Sequence, residues 1–141
     1  MQNSEMGKAP LPPLSSALEE LTYRTIGCAL EVHRGLGPGF LESLYAEALA
    51  VALGDHAMRY QRELVVGVEF KGRPIGQHRL DLLIEGVLVV ELKAVEHLAP
   101  IHFAQVRSYL RATNLRAGLL LNFEAPTLQV RRILNPGAID R

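Results

Sequence analysis

The segment from Arg79 to Val95, RLDLLIEGVLVVELKAV, constrains this chain more than any other. It reads as two apolar strands around a Glu85-Gly86 turn, yet three charges, Asp81, Glu91 and Lys93, interrupt the apolar run. Charge does not enter a buried sheet without a partner, because an isolated ion loses its hydration there. Either these residues lie on a solvated edge, or two carboxylates and an ammonium converge on a shared object.

Alternation along a strand puts Glu91 and Lys93 on one face and Leu92 on the other. Whether Asp81 joins them depends on the hairpin loop. A two-residue loop, Glu85-Gly86, pairs residue 81 with 90 and sends Asp81 to the wrong face. Any loop of odd length brings Asp81 and Glu91 to the same side. A three-residue loop Ile84-Glu85-Gly86 puts Gly86 where a left-handed residue is wanted, and sets Asp81 opposite Val89 and diagonal to Glu91. That register leaves Leu80, Leu82, Leu88, Val90 and Leu92 as a second face without a polar residue, which suits burial under helices. Pattern and chemistry choose the same register.

Converging carboxylates are costly unless something positive lies between them. Lys93 can serve as that partner, and a structural ion pair at a sheet end is the plainer reading of these three residues alone. A hard cation such as Mg²⁺ or Mn²⁺ does better, taking oxygen from Asp81, Glu91 and the backbone carbonyl of Leu92. Lys93 is then left to orient or deprotonate a water, or to stabilise charge developing on phosphorus.

The rest of the chain supplies the frame. Ser15 caps a helix whose apolar stripe, Leu18, Leu21, Ile26, Ala29, Leu30 and Val32, runs to about Arg34. Gly35, Gly37, Pro38 and Gly39 break it, and a second helix runs from near Phe40 to Gly54. MRYQRELVVGVEF is the first strand and KGRPIG a turn; the opening segment supplies strands two and three. Pro100 starts an amphipathic helix, IHFAQVRSYLRAT, followed by a buried strand, RAGLLLNF, and a more polar edge strand, TLQVRRIL. A helix between strands three and four makes them parallel. The expected fold is α/β, a mixed sheet of about five strands flanked by helices. Residues 1–13 are polar and proline-rich and are expected to be a flexible tail, with a single domain over 14–141.

In the third helix His102, Gln105 and Tyr109 fall at i, i+3 and i+7, one polar stripe placed to lean over the carboxylates. A solvated side chain is the competing role for His102. Positive and negative side chains balance at 15 each, a net charge of zero. A protein that coats nucleic acid by charge alone would be basic, so any nucleic acid here is engaged at a local patch or through a metal. The lone cysteine, Cys28, excludes an internal disulfide and a cysteine-based zinc site, and its helical context makes it a core residue. No apolar run has the roughly 18 residues of a membrane helix. MQNSEMGKAPLPPL lacks the order of a secretory signal, so the expected location is the cytoplasm.

An Asp, then Glu-x-Lys on the next strand, then a helix carrying Gln105-Val-Arg-Ser-Tyr109, resembles the PD-(D/E)XK nuclease superfamily, and within it the RecB-like and lambda-exonuclease-like branches. Gly39-x-x-Glu42-x-x-Tyr45, with VELKAVEHLAPIHFAQVRSYL and GLLLNF, is similar to the GxxExxY family, a small bacterial and archaeal group of that superfamily. The resemblance covers about Leu18 to Leu134 and departs in one respect, the acidic residue following Arg-Leu rather than Pro. It implies a restriction-endonuclease-like sheet with metal-dependent phosphodiester hydrolysis at one end, on nucleic acid and DNA first of all. A protein partner or homo-oligomer is also in keeping with small members of the superfamily. The implied site is Asp81, Glu91, Lys93 and Gln105. By analogy Glu42 is an additional metal or water ligand, and Tyr45 supports or orients it. A module that binds without cutting, built on the same scaffold, is the competing function.

Overall fold

The computed structural model describes residues 13–138. All of the expected tail but Pro13 lies outside the described residues. In chain order the elements are α1 (Ser16–Leu36), α2 (Glu42–Asp55), β1 (Tyr60–Phe70), β2 (Arg73–Ile84), β3 (Leu88–Lys93), α3 (Pro100–Thr113), β4 (Ala117–Asn122) and β5 (Gln129–Leu134). The Ser15 hydroxyl accepts the Leu18 N–H at 3.1 Å, satisfying one orphan donor at the start of α1. The expected KGRPIG turn is shorter than anticipated: only Lys71 and Gly72 lie between β1 and β2, both at positive φ. Pro74 and Ile75 continue the strand.

The strands lie in the order β1-β2-β3-β4-β5, antiparallel except for the β3–β4 pair, which runs parallel with Leu88 beside Ala117. The parallel pair is the one joined through α3, as a crossover requires. The two faces of the sheet are covered separately. Leu82, Ile84, Leu88, Val90, Leu92, Leu119, Leu121 and Phe123 pack with α1 and α2. Leu83, Val89 and Leu120 pack with Val106, Tyr109 and Leu110 of α3 on the opposite face. Strands clothed on both sides read as unbroken apolar runs, which is why GLLLNF is buried throughout.

α3 comes close enough to the sheet that no side chain fits at Gly118. A Cβ there would lie 2.9 Å from Val106 Cγ1 and 3.3 Å from the Val89 carbonyl oxygen. Gly118→Ala is expected to destabilise the fold by about 1–3 kcal/mol through overpacking, read as a lower denaturant midpoint at unchanged slope.

Two sequence expectations are corrected. The β2–β3 loop does have three residues, but they are Glu85, Gly86 and Val87, because Ile84 pairs with Leu88 and Leu82 with Val90. That offset brings Asp81 level with Glu91 rather than diagonal to it. The apolar face is also not continuous: Leu82, Leu88, Val90 and Leu92 lie under α1 and α2, whereas Leu80 packs on the α3 side. Strand β2 therefore turns over at Asp81.

Candidate metal centre and active site

Asp81 stands where both of its neighbouring strands depart from regular pairing. Toward β3 the backbone pairing ends at Leu82–Val90. Beyond that point side chains replace the ladder: the Leu92 N–H donates to Asp81 Oδ2 at 2.8 Å, and the Asp81 N–H donates to Glu91 Oε1 at 3.3 Å. Each carboxylate is thus fixed by a backbone amide of the opposing strand, and each keeps one oxygen outside that pair of bonds. The Lys93 carbonyl accepts the Phe123 N–H at 2.9 Å, on the β4 side. Peptide groups alternate along a strand, so the amide and carbonyl of Leu92 point the other way, toward Asp81.

Glu91 is only 5% exposed. Burial, and then the negative charge of Asp81, push its carboxyl up to about 8, against the opposing pull of the Asp81 N–H and of Lys93. The ammonium of Lys93 is therefore felt at the site without balancing it. Tyr109 reaches the same place from α3. Its hydroxyl donates to the Arg79 carbonyl at 2.9 Å, and burial followed by the charges of Glu91 and Asp81 pushes the phenol up to about 12.

A carboxyl raised in the folded protein binds a proton that the unfolded chain releases, so stability falls as pH rises between the two values. For Glu91 the metal-free protein is expected to lose stability between about pH 4.5 and pH 8 and to level off above. Thermal melts across that range should show the slope in the parent and a flattened one in Glu91→Gln.

Glu42 opens α2 and lines a pocket of about 290 Å³ with Asp81, Leu92, Arg62 and Glu63. It shares Asp81's surroundings from the α2 side, whereas Glu91 and Tyr109 approach from the α3 side. Among the described residues no three His, Cys, Asp or Glu side chains stand close enough together to hold a metal ion. The donors brought together are two carboxylates and one carbonyl, with Glu42 across the pocket.

The glycine corner has a structural explanation. The Tyr45 hydroxyl donates to the Gly37 carbonyl at 2.6 Å and accepts the Phe40 N–H at 3.2 Å, while its ring stacks on Phe123 at 4.7 Å. Gly37 and Gly39 take positive φ values, 68° and 111°, that a side chain would resist. Tyr45 thus clamps the corner that delivers Glu42 at the start of α2. His102 is occupied otherwise than expected: its Nδ1 accepts the Ala99 N–H at 2.9 Å and closes the first turn of α3. Gln105 keeps a buried Oε1 without a hydrogen-bond partner in the protein. A buried acceptor left open has a place for water or ligand.

Two residues that sequence reasoning passed over belong to this region. Buried Asn122 donates to the Val95 carbonyl at 2.9 Å and accepts the Val95 N–H at 3.0 Å, anchoring the chain just beyond Lys93. Its only signal was a polar residue closing an apolar strand. Glu63 lies on β1 and lines the Asp81 pocket; nothing in YQRELVVGVEF marks it.

Asp81 and Glu91 thus oppose each other where β2 and β3 splay, with Lys93 two residues after the second carboxylate. A family model described as the PD-(D/E)XK nuclease superfamily matches residues 19–133. The chain belongs to the PD-(D/E)XK nuclease superfamily. Its five-stranded mixed sheet between helices is the fold of that superfamily. No curated protein sequence matches the chain. Among solved structures it is similar to the crystal structure of SSO0001, at 18% identity and a TM-score of 0.50, over 88% of this chain and 57% of that one. At that identity the likeness concerns the fold, and this PD-(D/E)XK chain spans little more than half the length of that protein. Among the described residues no helix is long and apolar enough to cross a membrane.

Proposed function

We propose that the domain over 14–141 is a Mg²⁺- or Mn²⁺-dependent nuclease of the cytoplasm, hydrolysing phosphodiester bonds with DNA as the expected substrate. Within the superfamily we assign it to the GxxExxY group, near the RecB-like and lambda-exonuclease-like branches, on Gly39, Glu42 and Tyr45 together with Gln105 and Tyr109.

One observation carries the reading. Asp81 and Glu91 face each other across splayed strands, each held by an amide of the other strand, and burial, then the charge of Asp81, pushes Glu91 up to about 8. All the donors are oxygens, which suits a hard dication. Asp81, Glu91 and the Leu92 carbonyl would hold it. A dication held there would supply Lewis acidity toward a phosphoryl oxygen and a bound water. The chain's own part is to keep the two carboxylates pointed at one place, with Lys93 placed to orient the water or take up charge on the phosphoryl group. Tyr109 holds the Arg79 carbonyl and faces Glu91; Gln105 offers its open acceptor nearby on α3.

Calorimetric titration with Mn²⁺, paired with cleavage assays on linear, nicked and structured DNA and on RNA, tests the proposal. Stoichiometric binding and metal-dependent cleavage of at least one substrate are expected; no heat and no product on any of them would sink it. A second reading, a module that binds nucleic acid or a protein without cutting it, has one observation on its side. No third acidic or histidine side chain joins the carboxylate pair among the described residues. Nucleic-acid binding without metal dependence and without product would favour it.

A further inference from the structure

We infer that Glu63 is a positioning residue for the carboxylate pair, acting through its backbone: a left-handed kink at this position frees Asp81 from strand β1. The inference deepens the proposed function. It begins with a conformation that glutamate seldom adopts. Glu63 lies inside β1 at φ 52°, the only described non-glycine residue within a strand to do so. The other non-glycine residues at positive φ, Ala57, Lys71, Glu85 and Asn114, all lie in turns or at a helix end. A side chain in that region strains the backbone, and such strain persists where the surroundings impose it, most often at functional sites.

The kink has a definite structural consequence. The Glu85 N–H donates to the Arg59 carbonyl at 2.9 Å, so alternation turns the peptide groups of Leu83, Asp81 and Arg79 toward β1. In a regular ladder Glu63 would face Asp81 and the two would exchange backbone hydrogen bonds. The pairing instead passes from Arg62–Leu82 to Leu64–Leu80 with no Glu63–Asp81 pair. The Asp81 N–H released in this way is the one that holds Glu91 Oε1. At the same residue β2 turns over, carrying Leu80 to the α3 side while Leu82 stays under α1 and α2. One irregular residue on β1 thus accounts for the missing pair, the free amide and the change of face. The Glu63 carboxylate itself lies at the exposed rim, paired with Arg79 at 3.4 Å and 65% exposed. Its charge has little leverage there, and the backbone is what matters.

Substitution can separate backbone from charge. Glu63→Gly keeps the left-handed conformation and removes the carboxylate. Glu63→Val favours extended backbone and restores the ladder. In metal-free protein, amide exchange at Asp81 should slow at least tenfold in Glu63→Val and stay within threefold of the parent in Glu63→Gly. Thermal stability should hold or rise in Glu63→Gly, which takes the left-handed conformation without strain, and fall in Glu63→Val, because the surroundings that impose the kink oppose the regular ladder. Mn²⁺ affinity by calorimetry should fall at least tenfold in Glu63→Val and hold within threefold in Glu63→Gly. The inference is overturned if Glu63→Val leaves Asp81 exchange unchanged, if Glu63→Gly is destabilised, or if Glu63→Gly loses Mn²⁺ as Glu63→Val does. The exchange measurement needs no metal, so a parent that fails to bind Mn²⁺ removes the nuclease reading and leaves this test standing.

Discussion

Asp81→Ala should lose Mn²⁺ binding, and cleavage with it, by at least about a hundredfold, while the metal-free protein melts no lower than the parent. Both halves follow from the same geometry. Removing Asp81 takes away half of the carboxylate pair, and even residues that only support metal ligands cost about 10- to 100-fold in affinity or activity when lost. It also removes the like charge that, after burial, does most to raise Glu91. The cost is the acceptor for the Leu92 N–H, a partly buried bond to a charged group worth about 1.5–3 kcal/mol. Relief of repulsion offsets that loss. Calorimetric titration, a cleavage time course and a melt at pH 7 measure all three quantities. A variant that cuts like the parent, or one that is grossly destabilised, would show that Asp81 is there for the fold rather than for an ion.

Lys93→Ala should divide binding from chemistry. Lys93 shares a face with Glu91 and its charge pulls against the raised carboxyl, but it offers no oxygen to a metal. Mn²⁺ affinity is therefore expected to stay within a few-fold of the parent, while cleavage falls about 10²- to 10³-fold, the usual cost of removing one preorganised group that meets developing charge. Single-turnover cleavage at saturating Mn²⁺ isolates the effect. If affinity and rate fall together, Lys93 is a counter-ion that holds the carboxylates in place, and the role assigned to it in the reaction is wrong.

The elements themselves were largely legible. Eight were expected and eight are present among the described residues, in the anticipated order, because most carry a local signal: a Ser15 cap, glycine breaks, a proline at the start of α3 and an unbroken apolar run at β4. The odd length of the hairpin loop was legible as well, since an even loop would have sent charge into an apolar face. The loop itself was misplaced by one residue, from 84–86 to 85–87. The two placements share one parity, so the binary pattern does not separate them; both leave apolar residues facing inward.

What the sequence determined by itself was therefore periodic: which stretches are helix or strand, that the third and fourth strands run parallel, and that two acids and a lysine share one end of the sheet. What only the tertiary structure decided was local departure from that periodicity. Glutamate has no preference for a left-handed backbone, so nothing in YQRELVVGVEF announces a kink at Glu63; its surroundings, Leu64 and Val66 packed on the α3 side and Arg62 paired with Glu47 of α2, form only on folding. Tyr45 likewise takes its clamp, and His102 its place at the start of α3, from partners that come together only on folding. Repetition along a chain is written in the chain, whereas a single residue bent out of register is stable only when distant neighbours make the regular alternative worse.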